Sequence, residues 1–299
     1  MRPSDDRSTH DSPMISLTTT RQLAERYDTL LFDAYGVLVQ EHGGLSHARE
    51  LIETLESEGK SYFIVTNDAS RSIPSRADRF VQQGVPVPEE RIINSGCLIA
   101  PYIHDNGLTR CPAVVFGSPD GTEYVKQSGA EVLPHERIAE AELFVLADVS
   151  GFEWERSMNS LISTLFQRVS SGDRIRLLLP NPDIVYPSGQ TGFAFAAAGL
   201  ALLIESALER LFGEREDLKF VRLGKPYSPI FEEAERRAGT HDMVMIGDQL
   251  ETDIAGANNF GIDSAVVTGG INRFNSIDDL SSLPPAIRPT YLLRSIKWS

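Results

Sequence analysis

The side chains with the clearest chemical potential lie at the ends of apolar runs. They are Asp33, Thr66, Lys225, Asp248 and Asp253. Short apolar runs of this kind are typical of buried strands, and in an open α/β sheet ligands bind at the carboxyl ends of the strands. We therefore expect these five side chains to meet in one crevice at one edge of a parallel sheet.

Three of these side chains are carboxylates, and their convergence has an electrostatic cost. Carboxylates that meet without compensation repel one another, and their pKa values rise. A hard divalent cation relieves the repulsion, and Mg²⁺ prefers carboxylates together with waters and phosphate oxygens. The ammonium group of Lys225 and the hydroxyl group of Thr66 are suited to binding a phosphoryl group. The set indicates phosphoryl transfer, which depends mainly on positioning and charge neutralisation.

Asp33 is the candidate reacting residue. It follows the apolar run Thr29–Phe32, and Gly36 comes three residues later, where a turn is expected. An aspartate in this position can act as a covalent nucleophile and form an aspartyl-phosphate. Taken one at a time, the residues have simpler interpretations. Asp and Thr are common in turns and at helix caps, and most lysines lie on the protein surface. The order and strand-end position of all of them together favour a functional site.

The elements that must position these residues follow from hydrophobic periodicity. Residues 46–58 carry apolar side chains at helical spacing, and Gly59 lies where that helix would end. Residues 62–66 form the next apolar run. A strand, a helix and a strand in so short a stretch predict a right-handed parallel unit, which places Thr66 beside Asp33.

A second α/β pattern interrupts the first. We expect a core of residues 17–103 and 218–299, a compact second domain at 104–217, and a disordered polar tail at 1–16. Within the second domain the predicted strands are 113–116, 143–146 and 175–179, and the predicted helices are 123–127, 153–169 and 193–212. The first pattern resumes at 220–226.

The composition limits the class of protein. The 299 residues are 41% hydrophobic and 23% charged, with a formal net charge of −14, which is typical of a soluble globular chain. The negative charge argues against nucleic acid or an anionic membrane as a partner. No apolar run approaches the ~20 residues that span a bilayer. Because Cys97 and Cys111 lack metal-ligand spacing, we expect a cytoplasmic protein with reduced thiols.

Four motifs together resemble those of the haloacid dehalogenase superfamily. They are FDAYGVL at 32–38, TND at 66–68, GKP at 224–226 and GDQLETD at 247–253. The resemblance implies an α/β fold with a Rossmann-like, doubly wound parallel-sheet core and an inserted α/β cap domain. The block at 104–217 is similar to the cap of subclass IIA, which contains nitrophenyl-, phosphoglycolate- and pyridoxal-phosphate phosphatases and many predicted sugar phosphatases.

The resemblance also implies roles for the residues of the site. It implies that Asp33 is the nucleophile and that Lys225 neutralises negative charge. It also implies that Thr66 and the backbone of Asn67 bind the phosphate group; these two residues are called the phosphate seat below. Mg²⁺ is the implied cofactor. Its implied ligands are Asp33, the Tyr35 carbonyl and Asp248, with Asp253 in support. Relatives with this cap type often dimerise through it, so a homodimer is a further expectation.

Tyr35 is a departure from the family pattern. Family phosphatases usually carry a second aspartate at this position, as the general acid for the leaving group and the base for the attacking water. A phenol with a pKa near ~10 is a poor base at neutral pH, and general acid–base help is worth about 10²–10⁴ in rate. Three consequences stay open: turnover is slow and limited to good leaving groups, another group such as His42 substitutes, or the aspartyl-phosphate persists.

The leading hypothesis is a Mg²⁺-dependent phosphatase for a small phosphorylated metabolite, with a sugar phosphate as one candidate. A 2-haloacid dehalogenase is an alternative because FDAYG resembles the opening motif of that branch. Against it, the thirty positions from Gly36 to Thr66 leave no room for that branch's helical cap, and 247–253 keeps an acidic metal motif. A phosphate-binding protein that has lost turnover is the non-enzymatic alternative. The cap loop 186–192 is a candidate contributor to substrate choice.

Overall fold

The structure, a computed structural model, describes residues 15–189, 192–268 and 277–298. Most of the tail predicted at 1–16 lies outside these ranges. Ile15 is buried and Ser16 begins the first strand. The described chain therefore includes Ile15 and Ser16, the last two residues of the predicted tail.

Strands and helices alternate along most of the described chain. The strands are β1 Ser16–Thr18, β2 Thr29–Phe32, β3 Val39–Gln40, β4 Gly43–Gly44, β5 Ser61–Thr66, β6 Ile92–Asn94, β7 Pro112–Phe116, β8 Glu131–Val132, β9 Leu143–Leu146, β10 Arg176–Leu179, β11 Val185–Ser188, β12 Gly192–Phe195, β13 Val221–Arg222, β14 Met243–Gly247, β15 Asp263–Val267 and β16 Tyr291–Leu293. The α-helices are α1 Thr20–Arg26, α2 Ala48–Ser57, α3 Ile73–Gln82, α4 Ile99–Asp105, α5 Pro119–Gln127, α6 Trp154–Ser170, α7 Ala197–Phe212, α8 Ser228–Ala238, α9 Ala255–Phe260 and α10 Ile277–Ser281. Across the described ranges, none of these helices combines the length and apolar character that a membrane crossing requires.

Seven strands form the first sheet in the order β1-β16-β15-β14-β2-β5-β6, and every neighbouring pair is parallel. From β2 the chain runs through β5 to β6 on one side, whereas β14, β15 and β16 lie on the other side. The strand order therefore reverses between β2 and β14. In doubly wound sheets such a reversal opens a crevice at the carboxyl ends of the strands. This arrangement confirms the predicted α/β fold, and Asp33 directly follows the strand at the reversal.

Both faces of the first sheet are covered, as the alternation of side chains along its strands requires. Leu30 and Phe32 of β2 enter one hydrophobic cluster with buried residues of α1, α2 and α3. Leu31 enters a second cluster with buried residues of α4, α8 and α9. Each fully buried leucine or phenylalanine side chain contributes about 1.5–3 kcal/mol to the free energy of folding. The burial of these side chains therefore stabilises the position of β2, the strand that precedes Asp33.

Five strands form a second parallel sheet in the order β13-β10-β9-β7-β8. Its strands β7, β9 and β10 correspond to the runs predicted at 113–116, 143–146 and 175–179. Side chains from β7, β9, α6 and α7 build a separate cluster on one face of this sheet. The second unit therefore has its own core, as expected for an inserted α/β unit.

Two elements of the second unit differ from the prediction. The helix predicted to start at Phe193 begins at Ala197, because Gly192–Phe195 pairs antiparallel with β11 as a hairpin. Val221–Arg222 was expected in the resumed core pattern, but it pairs in parallel with β10. The open edge of β10 supplies the hydrogen-bonding partners for that short strand, so the second sheet extends beyond residue 217.

Candidate active site

Asp33 lies at the carboxyl end of β2, where the backbone turns sharply. Its N–H donates to the carbonyl of Ile246 in β14 at 2.9 Å, which holds the residue against the neighbouring strand. The turn then closes where the N–H of Val39 donates to the carbonyl of Ala34 at 3.0 Å. Gly36 lies inside this turn with a φ of 89°, a conformation that glycine adopts without strain.

Three buried carboxylates meet at this edge of the sheet. One oxygen from each of Asp33, Asp248 and Asp253 lies within 4.8 Å of the others. The Nζ atom of Lys225 is 2.5 Å from Oδ1 of Asp33 and 2.7 Å from Oδ1 of Asp253. It also donates to the carbonyl of Val65 at 2.9 Å. When ionised, three carboxylates and one ammonium leave an excess of negative charge that a divalent cation would balance.

Burial shapes the electrostatics of this cluster. It raises the pKa of Asp253 to about 7, a shift that Lys225 opposes and the Asp33 carboxylate reinforces. Burial alone would lower the pKa of Lys225, but Asp253 and Asp33 outweigh it and hold that pKa above its ordinary value. Lys225 therefore stays charged at neutral pH and presents a fixed positive charge to the crevice.

Two glycines leave room for the carboxylates. A Cβ atom on Gly36 would lie 2.3 Å from Oδ2 of Asp248, and one on Gly247 would lie 2.2 Å from Cγ of Asp253. Side chains other than hydrogen would therefore displace both carboxylates. Asp253 is also fixed by a π-helical turn before α9, in which the N–H of Gln249 donates to its Oδ2 at 3.1 Å. Single π-helical turns are frequent at functional sites.

Thr66 and Asn67, the residues expected to bind phosphate, are buried at the end of β5. The N–H of Lys225 donates to Oδ1 of Asn67 at 2.7 Å, and Nδ2 of Asn67 donates back to the Lys225 carbonyl at 2.9 Å. The hydroxyl of Ser95 donates to the carbonyl of Asn67 at 2.6 Å. These bonds fix the segment in place before any ligand binds, as a phosphate seat requires.

The structure adds a residue that the sequence did not assign to the site. Asp183 follows β10 in the second sheet, and its Oδ1 accepts a hydrogen bond from Nδ2 of Asn67 at 2.8 Å. The sequence carries the same signal here as at Asp33, an acidic residue just beyond an apolar run at 177–179. It does not reveal that the carboxyl edge of the second sheet faces that of the first.

Tyr35 and His42 lie in different surroundings. Tyr35 is partly exposed in the turn after Asp33, where its backbone forms an isolated bridge with Val39. His42 is exposed at the two-residue turn that joins β3 to β4. Its position fits a solvated loop histidine, the simpler interpretation of that residue.

Comparison with known proteins identifies the family. Residues 30–131 match a family model described as haloacid dehalogenase-like hydrolase, and residues 222–299 match one described as HAD-hydrolase-like. A solved structure from Cytophaga hutchinsonii, described as a possible sugar phosphatase of the HAD superfamily, is 31% identical. It superposes with a TM-score of 0.79 over 94% of this chain and 98% of that chain. The chain belongs to the haloacid dehalogenase superfamily.

Other members of the superfamily are similar over most of their length. A dihydroxyacetone phosphatase of Corynebacterium glutamicum is 25% identical over 268 residues, which are 89% of this chain and 88% of that protein. A glycerol phosphate phosphatase of Mycobacterium tuberculosis, solved in complex with magnesium, is 21% identical with a TM-score of 0.77 and shares the fold. The alignment covers 92% of this chain and 78% of that one. The predicted superfamily, phosphatase subclass and hydrolase class are confirmed.

Proposed function

We propose that this haloacid dehalogenase superfamily member is a Mg²⁺-dependent phosphatase that hydrolyses a small phosphorylated metabolite through an aspartyl-phosphate on Asp33. The observation that carries the proposal is the buried contact of 2.5 Å between Asp33 and Lys225, beside two further carboxylates at the strand-order reversal. Among the similar proteins, a dihydroxyacetone phosphatase and a possible sugar phosphatase support the reaction. Together with the glycerol phosphate phosphatase, they make a sugar phosphate or glycerol 3-phosphate the first substrate to try.

The donor set fits a magnesium ion. Three carboxylate oxygens within 4.8 Å of one another match the hard oxygen ligands that Mg²⁺ prefers, and a single lysine leaves their charge incompletely balanced. The proposed ligands are Asp33, the Tyr35 carbonyl and Asp248, with Asp253 in support. When bound, the ion would neutralise negative charge on the phosphoryl oxygens.

The chain's own residues supply the remaining steps. The carboxylate of Asp33 attacks phosphorus and the bond from phosphorus to the leaving oxygen breaks. Lys225 orients that carboxylate and offsets its charge together with that of the phosphoryl group. The Thr66 hydroxyl and the Asn67 N–H donate to the phosphoryl oxygens. Water then attacks phosphorus, which releases inorganic phosphate and restores the Asp33 carboxylate.

The decisive test compares Asp33→Asn with Asp28→Asn. Asp28 is an exposed aspartate just before β2, whereas Asp33 is buried just after it. We expect wild type and Asp28→Asn to hydrolyse 4-nitrophenyl phosphate and glycerol 3-phosphate only with Mg²⁺, and Asp33→Asn to lose at least ~10³-fold. The assay measures released phosphate with Mg²⁺ and with a chelator.

Other outcomes would point elsewhere. Phosphate release that survives Asp33→Asn would remove that residue from the role of nucleophile. Chloride release from a 2-haloacid in place of phosphate release would support the dehalogenase alternative. Tight phosphate binding without turnover of either compound would support a binding protein.

We also propose that two copies associate through the second unit and that the protein works in the cytoplasm. Large apolar side chains are exposed on β12 and α7, with 62% of Phe193 and 67% of Leu203 accessible. Such exposed apolar residues are typical of association surfaces when they cluster. The two cysteines are free thiols, which suits a reducing compartment.

A further inference from the structure

We propose that Asp183 is the general acid and base of this enzyme, the role that Tyr35 leaves unfilled. The inference rests on the proposed phosphatase function and adds a catalytic residue to it. In the proposal, the Asp183 carboxyl group protonates the leaving oxygen and then takes the proton of the attacking water.

A close approach of two backbone segments places Asp183 beside Asn67, one of the two residues of the phosphate seat. The loop that follows β10 packs against Gly224, whose N–H donates to the carbonyl of Pro180 at 3.0 Å. A Cβ atom on Gly224 would lie 2.7 Å from Cδ of Pro182 and 2.9 Å from that carbonyl oxygen. The absence of a side chain at this position therefore lets the loop approach the segment that carries Lys225.

Hydrogen bonds fix the Asp183 carboxyl group in that loop. Its own N–H donates to Oδ1 of Asn181 at 2.9 Å, and its carbonyl accepts from the N–H of Ala198 at 3.1 Å. Its Oδ1 accepts from Nδ2 of Asn67 at 2.8 Å. Asn67 in turn forms hydrogen bonds with the backbone of Lys225. These bonds fix the position of the Asp183 carboxyl group relative to the phosphate seat.

The side of the crevice on which Asp183 lies is the side that the leaving group must occupy. Phosphoryl transfer places the attacking and leaving oxygens roughly in line. Asp33 attacks from the first sheet, so the leaving oxygen points toward the second sheet. Asp183 comes from that second sheet and contacts the phosphate seat.

The charges around Asp183 suit proton transfer. Burial raises its pKa to about 6, while the hydrogen bond from Asn67 and the charge of Lys225 oppose the shift and the carboxylates of Asp33 and Asp68 reinforce it. Asp68 is itself paired with Arg76 at 3.0 Å. A catalytic acid works best with a pKa near the operating pH. A phenol, by contrast, ordinarily has a pKa near ~10.

Asp183 gives up one proton in the first step and regains one in the second. In the first step the bond from Asp33 to phosphorus forms, the bond to the leaving oxygen breaks, and that oxygen takes the proton of Asp183. In the second step Asp183 takes a proton from water as the water oxygen bonds to phosphorus. The bond from Asp33 to phosphorus breaks, and inorganic phosphate leaves with Asp183 protonated again.

The test is Asp183→Asn, assayed on two phosphate esters by rapid mixing. Asparagine keeps the oxygen that accepts from Asn67 but cannot donate a carboxyl proton. With 4-nitrophenyl phosphate, whose leaving group needs no proton, we expect a burst of nitrophenolate at the wild-type rate, followed by turnover slowed about 10²–10⁴-fold. With glycerol 3-phosphate we expect the first step itself to slow by that factor.

The pH profile is a second readout. For glycerol 3-phosphate, the wild-type kcat/KM should fall as pH rises above about 6 because the acid must be protonated. The Asp183→Asn variant should not show this decrease in kcat/KM with rising pH. The double variant Tyr35→Asp/Asp183→Asn should recover turnover of glycerol 3-phosphate, which a merely structural role for Asp183 would not allow.

The matched control is Glu41→Gln. Glu41 also joins the two units, since its Oε2 accepts from the N–H of Gly189 at 2.8 Å, but it is exposed and lies on the β3–β4 hairpin. It should leave both reactions unchanged. If Asp183→Asn slows the first step of both esters equally, or slows neither reaction, the inference fails while wild-type activity still supports the phosphatase. If wild type is inactive and Asp33→Asn equals it, the proposed function fails and the inference fails with it.

Discussion

At the scale of single residues, glycine is what allows carboxylates to gather in this crevice. The backbone of Gly36 approaches Asp248 so closely that a methyl group would overlap its oxygen, at 2.3 Å. We expect Gly36→Ala to move that carboxylate and lower Mg²⁺-dependent activity by roughly 10²-fold, since small displacements at a reacting centre have effects of that size. Activity and the rise in Tm on adding Mg²⁺ are the two measurements.

Gly59→Ala is the matched control for this variant. Gly59 also has a positive φ, of 63°, but nothing lies within 4 Å of a Cβ atom built on it. Its substitution should lower the free energy of unfolding by about 1–2 kcal/mol and leave the response to Mg²⁺ intact. An unchanged Mg²⁺ response in Gly36→Ala would argue against Asp248 as a ligand.

The positions of Asp33 and Thr66 in the first sheet could be predicted from the sequence because each residue lies at the end of a buried strand. Asp33 follows β2 and Thr66 is the last residue of β5, and the pairing of these parallel strands brings their ends together. Asp183 carries the same signal after β10. Its role depends on which way the second sheet faces, and that orientation is set by packing between the two units rather than by any local pattern.

At the scale of elements, the second unit shows how tertiary pairing overrides local preference. Residues 193–212 are mostly apolar and contain no proline, which favours one long helix. The structure instead uses Gly192–Phe195 as a strand against Val185–Ser188. The alternation of phenylalanine with small residues in that strand suits a hairpin, but periodicity over four residues is too short to distinguish it from a helix.

The hairpin and α7 lead to a prediction about association. If two copies pair through the second unit, wild type should have twice the mass of one chain in light scattering at micromolar concentration. The double variant Phe193→Ser/Leu203→Ser should have the mass of one chain. Val81→Ser, at a residue 60% exposed on α3 of the first unit, should remain a dimer. A monomeric wild type, or a Val81→Ser variant that dissociates, would contradict the proposal.

At the scale of the whole molecule, one hydrophobic cluster joins the two sheets. Leu31 and Val65 of the first sheet belong to the same buried cluster as Val115 and Val145 of the second. A polar contact lies beside it, where the hydroxyl of Ser118 donates to the carbonyl of Ser70 at 2.6 Å. The two units therefore share part of their core and are not linked by flexible segments alone.

This shared cluster predicts a single cooperative unfolding transition. Scanning calorimetry should give one peak whose calorimetric and van't Hoff enthalpies agree, because neither sheet can unfold without exposing the apolar face of the other. Val115→Ala should lower the Tm of the whole transition, as large-to-small core substitutions do. Two resolved peaks, or a Val115→Ala effect on one of two peaks, would show that the units unfold independently.

The continuity of that cluster also decides how a molecule reaches Asp33. Swinging the second sheet away would expose apolar surface at a cost of about 25 cal/mol for each Å². We therefore expect the two sheets to keep their relation while a substrate enters, so that the space between them limits its size. Compact phosphate monoesters should then be hydrolysed faster than a phosphate on a folded protein or within a polynucleotide.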